Sequence, residues 1–290
     1  MQEITVRAHA KINLSLRVQG RRADGYHDLR MVMQTLDLHD TLVCRPLENG
    51  RIVLRLEAQQ TEADLPTDGR NLIVRAAETL LAACAPGRGA EIVLTKRIPV
   101  AAGLAGGSSN AAAALCALRT LYDLPVSDEQ LTEIGLTLGA DVPYCLAGGS
   151  RLAEGVGERL TALPDMPPCA VLLAKPPIAV STAEVFRAFK GSYAGADADW
   201  NVLLADGGLR AIAQAMRNDL EAVTIAMHPV IADIKECMLA SGAAGSLMSG
   251  SGPTVFGLFS DKEDAVRAEA DLRRWFPETH EVHLCTIHSE

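Results

Sequence analysis

The chain has 290 residues, 48% of them hydrophobic and 22% charged, an ordinary globular composition that excludes extended disorder and suits two domains or one large α/β unit. A formal charge of −9 with only 4% aromatic residues excludes the basic field and stacking platforms of a general nucleic-acid binder. No apolar run approaches the roughly 18 to 20 residues that cross a bilayer, and the N-terminal residues have no signal-peptide layout. The seven cysteines, at 44, 84, 116, 145, 169, 237 and 285, form no C-x-x-C pair. The expectation is a cytoplasmic chain with free thiols and no structural zinc.

In chain order, Ile4, Val6, Ala8, Ala10, Ile12, Leu14, Leu16 and Val18 alternate with polar residues, the period of a strand. Lys11 and Asn13 then lie side by side on its polar face. Asp24 and Gly25 mark a turn in the segment 20–27, and returning strands are expected over 31–38, 41–44 and 51–58. Asn71 precedes apolar residues at helical spacing, a capped helix that Pro86 and Gly87 stop. A strand over 91–96 enters the glycine-rich stretch 99–110, followed by an alanine- and leucine-rich buried helix to Leu121 and a helix over 127–138. Residues 151–163 and 170–174 read as strands separated by prolines. Helices are then expected at 182–189, 209–226, 229–241 and 262–275, strands at 245–248, 254–259 and 280–286, and a surface loop at 191–199. A domain boundary is placed near residue 160, giving domains 1–160 and 161–290.

A glycine-rich turn between a strand and a helix leaves backbone N–H groups unpaired at the helix start, where they favour phosphate oxygens. Gly103, Gly106 and Gly107 supply the turn, and Ser108, Ser109 and Asn110 open the helix. The stretch is neither a Walker A loop nor a dinucleotide fingerprint; by itself it reads equally as a tight turn with a serine cap. A second glycine loop, Ser249 to Thr254, reads as a hairpin turn or as a second wall of a shared cleft.

Together, Lys11–Ile12–Asn13, the Pro99-to-Ser109 loop and the Gly250-to-Thr254 loop resemble the three ordered motifs of the GHMP kinase superfamily. The stretches Asp24 to Leu29, Gly139 to Pro143, Glu154 to Glu158 and Asn218 to Glu221 are similar to the branch that phosphorylates a cytidine-diphospho derivative of methylerythritol in the non-mevalonate route to isoprenoids. The resemblance implies an α+β two-domain fold, with an N-terminal ribosomal-protein-like β/α domain, a C-terminal ferredoxin-like α/β sandwich, and a cleft between them. It also implies an ATP- and Mg²⁺-dependent phosphotransferase with an alcohol acceptor.

By that resemblance, Asp141 is the base and Lys11 the ammonium beside it and the migrating phosphate; read alone, Asp141 is a helix cap before it is a base. ATP is held by Pro99, Val100, Ala101, Ala102, Gly103, Leu104, Ala105, Gly106, Gly107, Ser108 and Ser109, with Asn71 facing adenine and Ser109 near Mg²⁺. The second loop contributes Gly250, Ser251 and Gly252. Asn13 would bond the polyol. Tyr26 stacks on the cytosine, His27 reads its edge, and Phe186, with Thr182 nearby, stacks from the other side; Phe186 alone reads equally as a helix core residue. Two positions depart from the family pattern: Ala105 stands where glycine is frequent, and is expected in an ordinary backbone conformation, and Cys145 stands near a place where relatives carry a cytosine-facing lysine. The implied partners are the cytidine-diphospho substrate and ATP, with no nucleic acid or membrane, in a monomer or weak homodimer. The rivals are a homoserine- or mevalonate-type kinase, a non-catalytic nucleotide or sugar sensor, and an RNA-binding domain, which the charge opposes.

Overall fold

The computed structural model describes residues 3–57, 65–191, 197–279 and 281–289; Ala58 of the expected third strand and 192–196 of the expected loop lie outside them. The elements in the first half are β1 (Ile4–Arg21), β2 (His27–Leu47), β3 (Ile52–Glu57), α1 (Leu72–Cys84), β4 (Gly89–Thr95), α2 (Gly106–Leu121), α3 (Asp128–Leu138), α4 (Val142–Ala147), β5 (Ser150–Gly155) and β6 (Arg159–Ala162). Then come β7 (Ala170–Lys175), α5 (Thr182–Ala188), α6 (Trp200–Asp206), α7 (Gly208–Ala215), β8 (Arg217–Asn218), α8 (Glu221–Met227), α9 (Val230–Ala240), β9 (Gly245–Met248), β10 (Val255–Phe259), α10 (Lys262–Trp275) and β11 (Glu281–Thr286).

The chain forms two compact units, one of residues 1–10, 38–100 and 105–147, the other of 11–37, 101–104 and 148–290. β1 and β2 are long enough to contribute residues to both. In the first unit β4 pairs antiparallel with β2, Thr41 opposite Thr95, and parallel with β3, Ile52 opposite Ala90. The parallel pair needs a crossover, which α1 supplies. α1 to α4 then bury their apolar stripes against one another and the sheet. Ile73, Ala77 and Leu80 of α1 and Ala111, Leu115 and Leu118 of α2 share this core with Leu42 and Ile92. Alanine dominates the buried face of α2, and short side chains let helices approach closely. Asn71 caps α1 by accepting from the Ile73 N–H, and Ser127 and Gln130 form a capping box on α3.

In the second unit β5 pairs with β2 and folds back on β6, so the single strand expected over 151–163 is a hairpin; the positive φ of Gly155 and Gly157, 74° and 117°, makes the turn. β7, β9, β10 and β11 form a separate antiparallel sheet in the order β11-β7-β10-β9, with α9 and α10 packed on it. Counting its strands by sequence gives 4-1-3-2, the ferredoxin-like order the resemblance implied. The helix expected over 209–226 is broken: β8 pairs in parallel with β1 at Leu16 and Asn218, forcing the chain out of helix between α7 and α8. α6 had no sequence signal strong enough to anticipate it.

The seven cysteines are free thiols. Burial pushes Cys44 and Cys169 up to about 12, so both are protonated and inert. Among the described residues no helix is long and apolar enough to cross a membrane.

Candidate active site

In the first unit, α2 begins at Gly106 rather than at the serines, so Gly106 and Gly107 belong to the helix's first turn and not to the turn before it. The helix follows Ala105, whose φ of 56° and ψ of 24° are left-handed. The expectation of an ordinary conformation there is wrong: the chain enters α2 without a capping side chain, and the left-handed residue makes the bend, at a cost of about 1–2 kcal/mol for a residue with a Cβ. Ala101 is left-handed too, with φ 51°. The Ser109 N–H bonds the Ala105 carbonyl at 2.8 Å, and Ser109 is buried beside Asn110, whose Oδ1 is buried without a partner among the described residues. A Cβ on Gly107 would meet only Leu72 Cδ1, at 3.6 Å. Nothing in the folded chain therefore requires glycine there. The Ser108 hydroxyl lies 3.8 Å from where a Cβ on Gly139 would stand, two residues before Asp141. Asp141 is half-buried immediately ahead of α4, its carbonyl accepting from the Cys145 N–H at 3.0 Å.

The second unit holds most of the residues expected on the acceptor side, several of them in contact. Lys11 Nζ donates to Asn13 Oδ1 at 2.7 Å, and Asn13 Nδ2 reaches Met31 Sδ at 3.6 Å. Both polar residues are at most 4% exposed, so the polar face of β1 is covered, not solvated. The cover includes both glycine segments. The Lys11 N–H bonds Leu104 O at 3.1 Å, and Asn13 Oδ1 would lie 3.8 Å from a Cβ on Gly250. The loop tips interlock: Ser249 Oγ donates to Gly103 O at 2.9 Å, and a Cβ on Gly103 would stand 2.3 Å from Ser249 O. With φ at 73° as well, position 103 admits only glycine.

In the same unit, Ser251 Oγ shares a hydrogen bond with Thr182 Oγ1 at 2.7 Å. One turn later on α5, Phe186 stacks on His27 with centroids 5.1 Å apart. Phe186 is half-buried; the core residue of α5 is Val185. Burial, then the charge of Arg21, push the His27 pKa below its ordinary value. Tyr26 is 67% exposed beside it.

The second glycine loop is a hairpin connection between β9 and β10, braced by the Asn218-to-Glu221 motif. Asn218 Nδ2 donates to Met248 O and Gly250 O, both at 2.7 Å, and its Oδ1 accepts from the Leu220 N–H. Glu221 accepts from the Met248 N–H at 2.8 Å and pairs with Lys235, and Thr224 Oγ1 donates to Ser251 O. Sequence reasoning saw this motif only as family likeness. The tertiary pairing of β8 with β1 is what aims it at the loop. It also gave no role to Arg30, which pairs with Glu154 and Asp197, or to the buried Asp40–Lys96 pair.

Comparison with known proteins gives the family and the fold. Residues 71–149 match the GHMP kinases N terminal domain and residues 201–278 the GHMP kinases C terminal domain. A 4-diphosphocytidyl-2-C-methyl-D-erythritol kinase of Pelotomaculum thermopropionicum is 50% identical over 93% of this chain and 94% of its own. One from Clostridioides difficile is 43% identical over 97% of this chain and 95% of its own. A crystal structure of 4-(cytidine 5'-diphospho)-2C-methyl-D-erythritol kinase superposes with a TM-score of 0.83 at 37% identity, covering 99% of this chain and 100% of that one. A homoserine kinase from Cytophaga hutchinsonii shares the fold, with a TM-score of 0.78 at 21% identity over 100% of this chain and 96% of its own. With its glycine loops, its braced second hairpin and both halves matched, this chain belongs to the GHMP kinase family, in the branch of the 4-diphosphocytidyl-2-C-methyl-D-erythritol kinases.

Proposed function

We propose that this chain transfers the γ-phosphoryl group of ATP to the 2-hydroxyl of 4-diphosphocytidyl-2-C-methyl-D-erythritol, releasing ADP, in the non-mevalonate route to isoprenoid precursors. The observation that carries the reading is a set of contacts within one unit: the Lys11–Asn13 hydrogen bond, the Ser251–Thr182 hydrogen bond and the Phe186–His27 stack. It offers a polar face suited to an alcohol and an aromatic wall suited to a base. A kinase for a small polyol without a base has no use for that wall.

Phosphoryl transfer asks the protein mainly for position and charge. The first turn of α2, opened by Gly106 and Gly107, receives the phosphates, and Asn71 faces the adenine. Asp141 accepts the hydroxyl proton as the acceptor oxygen bonds to the γ-phosphorus and the bond to the β,γ-bridging oxygen breaks. Lys11 offsets the negative charge on the transferring group, and Asn13 holds a polyol hydroxyl. The cytosine stacks on Tyr26, with Phe186 on its other side and His27 at its edge. His27, with its pKa lowered by burial, is neutral at pH 7 and can read a base edge as donor or acceptor.

The first turn of α2 also fits Mg²⁺ brought in with the nucleotide. Ser109 and the orphaned Asn110 Oδ1 are hard oxygen donors, and such an ion takes most of its ligands from phosphates and water. When bound it would neutralise phosphate charge. The working form is a cytoplasmic monomer or weak homodimer acting on small molecules alone. In this reading the two domains divide near residue 160.

The test is ADP release with the cytidylyl substrate, mevalonate and homoserine as acceptors. Turnover is expected with the first alone; turnover of mevalonate without it overturns the assignment. Asp141→Asn should lower kcat by about a thousandfold or more with nucleotide affinity kept, and unchanged kcat removes Asp141 as the base.

A further inference from the structure

We infer that Asp40, which has no part in the chemistry above, is a positioning residue for the nucleotide loop, acting through Lys96 and the backbone of residues 97 and 98. The inference rests on the reading of the loop as the phosphate site. Asp40 lies at the start of the β2–β4 ladder, where the register that sets Thr41 opposite Thr95 brings it opposite Lys96. Its carboxylate is fully buried, an environment a charge tolerates only when it is fully paired.

Three consecutive residues provide that pairing. Asp40 Oδ2 accepts from Lys96 Nζ at 2.7 Å. Its Oδ1 accepts from the N–H groups of Arg97 at 2.7 Å and Ile98 at 2.8 Å. One carboxylate thus fixes the last residues before Pro99, where the glycine loop departs.

The ammonium it holds is also placed. Lys96 Nζ donates to Ile98 O at 2.5 Å and lies 3.1 Å from where a Cβ on Gly106 would stand. A positive charge is therefore held under the first residue of α2, the end of that helix that favours anions. An apolar pair of similar volume could serve stability as well as a buried ion pair. It could not hold two backbone N–H groups and an ammonium at the loop's root. Asp40 accordingly governs how well the loop receives polyphosphate, and leaves the acceptor alcohol's binding alone.

The test compares wild type with Asp40→Asn, whose amide oxygen can still accept from residues 97 and 98 but offers Lys96 no charge. Calorimetric binding of a non-hydrolysable ATP analogue is measured beside KM for ATP, KM for the acceptor and kcat. The expected result is a loss of analogue affinity and a rise in ATP KM of about tenfold to a hundredfold, with acceptor KM within about twofold. If Asp40→Asn does not fold, Lys96→Met is read in its place; it keeps Asp40 on the backbone N–H groups and should show the same selective loss. Analogue affinity equal to wild type in whichever variant is read, with only the melting temperature lowered, overturns the inference. Failure of the proposed activity would appear differently, as wild type that binds the analogue but phosphorylates no cytidylyl substrate.

Discussion

Gly103 and Gly107 look alike in the sequence, and the structure predicts opposite consequences for replacing each with alanine. At Gly103 the backbone φ is 73°, and a Cβ would stand 2.3 Å from Ser249 O and 3.2 Å from Gly252 O. The left-handed backbone costs about 1–2 kcal/mol for alanine. The contacts are with carbonyl oxygens that no rotamer change can move, so the loops must separate, at a further cost of about 1–3 kcal/mol. A loss of about 2–5 kcal/mol corresponds to a melting temperature lower by about 3 to 8 °C for a chain of this size. At Gly107 the residue is helical, and the added methyl meets only Leu72 Cδ1 at 3.6 Å. Alanine there should raise stability by up to about 1 kcal/mol, while crowding the phosphates enough to raise ATP KM by about tenfold or more. Thermal unfolding by circular dichroism and ATP KM from coupled ADP release read the two effects separately. A Gly103→Ala protein that melts like wild type refutes the interlocked-loop argument. A Gly107→Ala protein with the wild-type ATP KM refutes the phosphate role of the α2 turn.

Removing the aromatic wall with Phe186→Ala should raise KM for the cytidylyl substrate by about fivefold to a hundredfold, since base stacking on an aromatic ring contributes about 1–3 kcal/mol; ATP KM should stay put, and a parallel rise in both would show that α5 acts on the whole fold. Because the folded His27 pKa lies below its ordinary value of 6.5, the folded state binds fewer protons at this site than the unfolded chain. Its contribution to stability is therefore complete above 6.5 and declines as pH falls from there through the folded pKa. An NMR titration of the His27 ring with its midpoint at or above 6.5 would contradict this.

Part of the candidate site's local geometry was legible in the sequence. The alternation of β1 placed Lys11 beside Asn13, and the structure joins them by a hydrogen bond; the helix spacing after Asn71 predicted α1 and its cap. These succeed because strand alternation, helix periodicity and capping depend on residues near one another in the chain. The errors share the opposite cause. Ala105 is left-handed because α2 must start where its alanine face meets the core, a demand that overrides the residue's own preference. The helix over 209–226 is interrupted because Leu16, some two hundred residues earlier, pairs with Asn218.

Local pattern thus determined β1, most other strands, the capped helix α1 and the two glycine-rich turns, while the roles of their residues came only with the family resemblance. Only the tertiary structure decided that the polar face of β1 is buried, that Gly103 is locked against Ser249, that Phe186 lies on His27, and that Asp40 is tied to residues 96–98. Each of those is a meeting of segments far apart in the chain. Local propensity carries no term for such a contact, whereas burial and hydrogen-bond satisfaction in the folded state do.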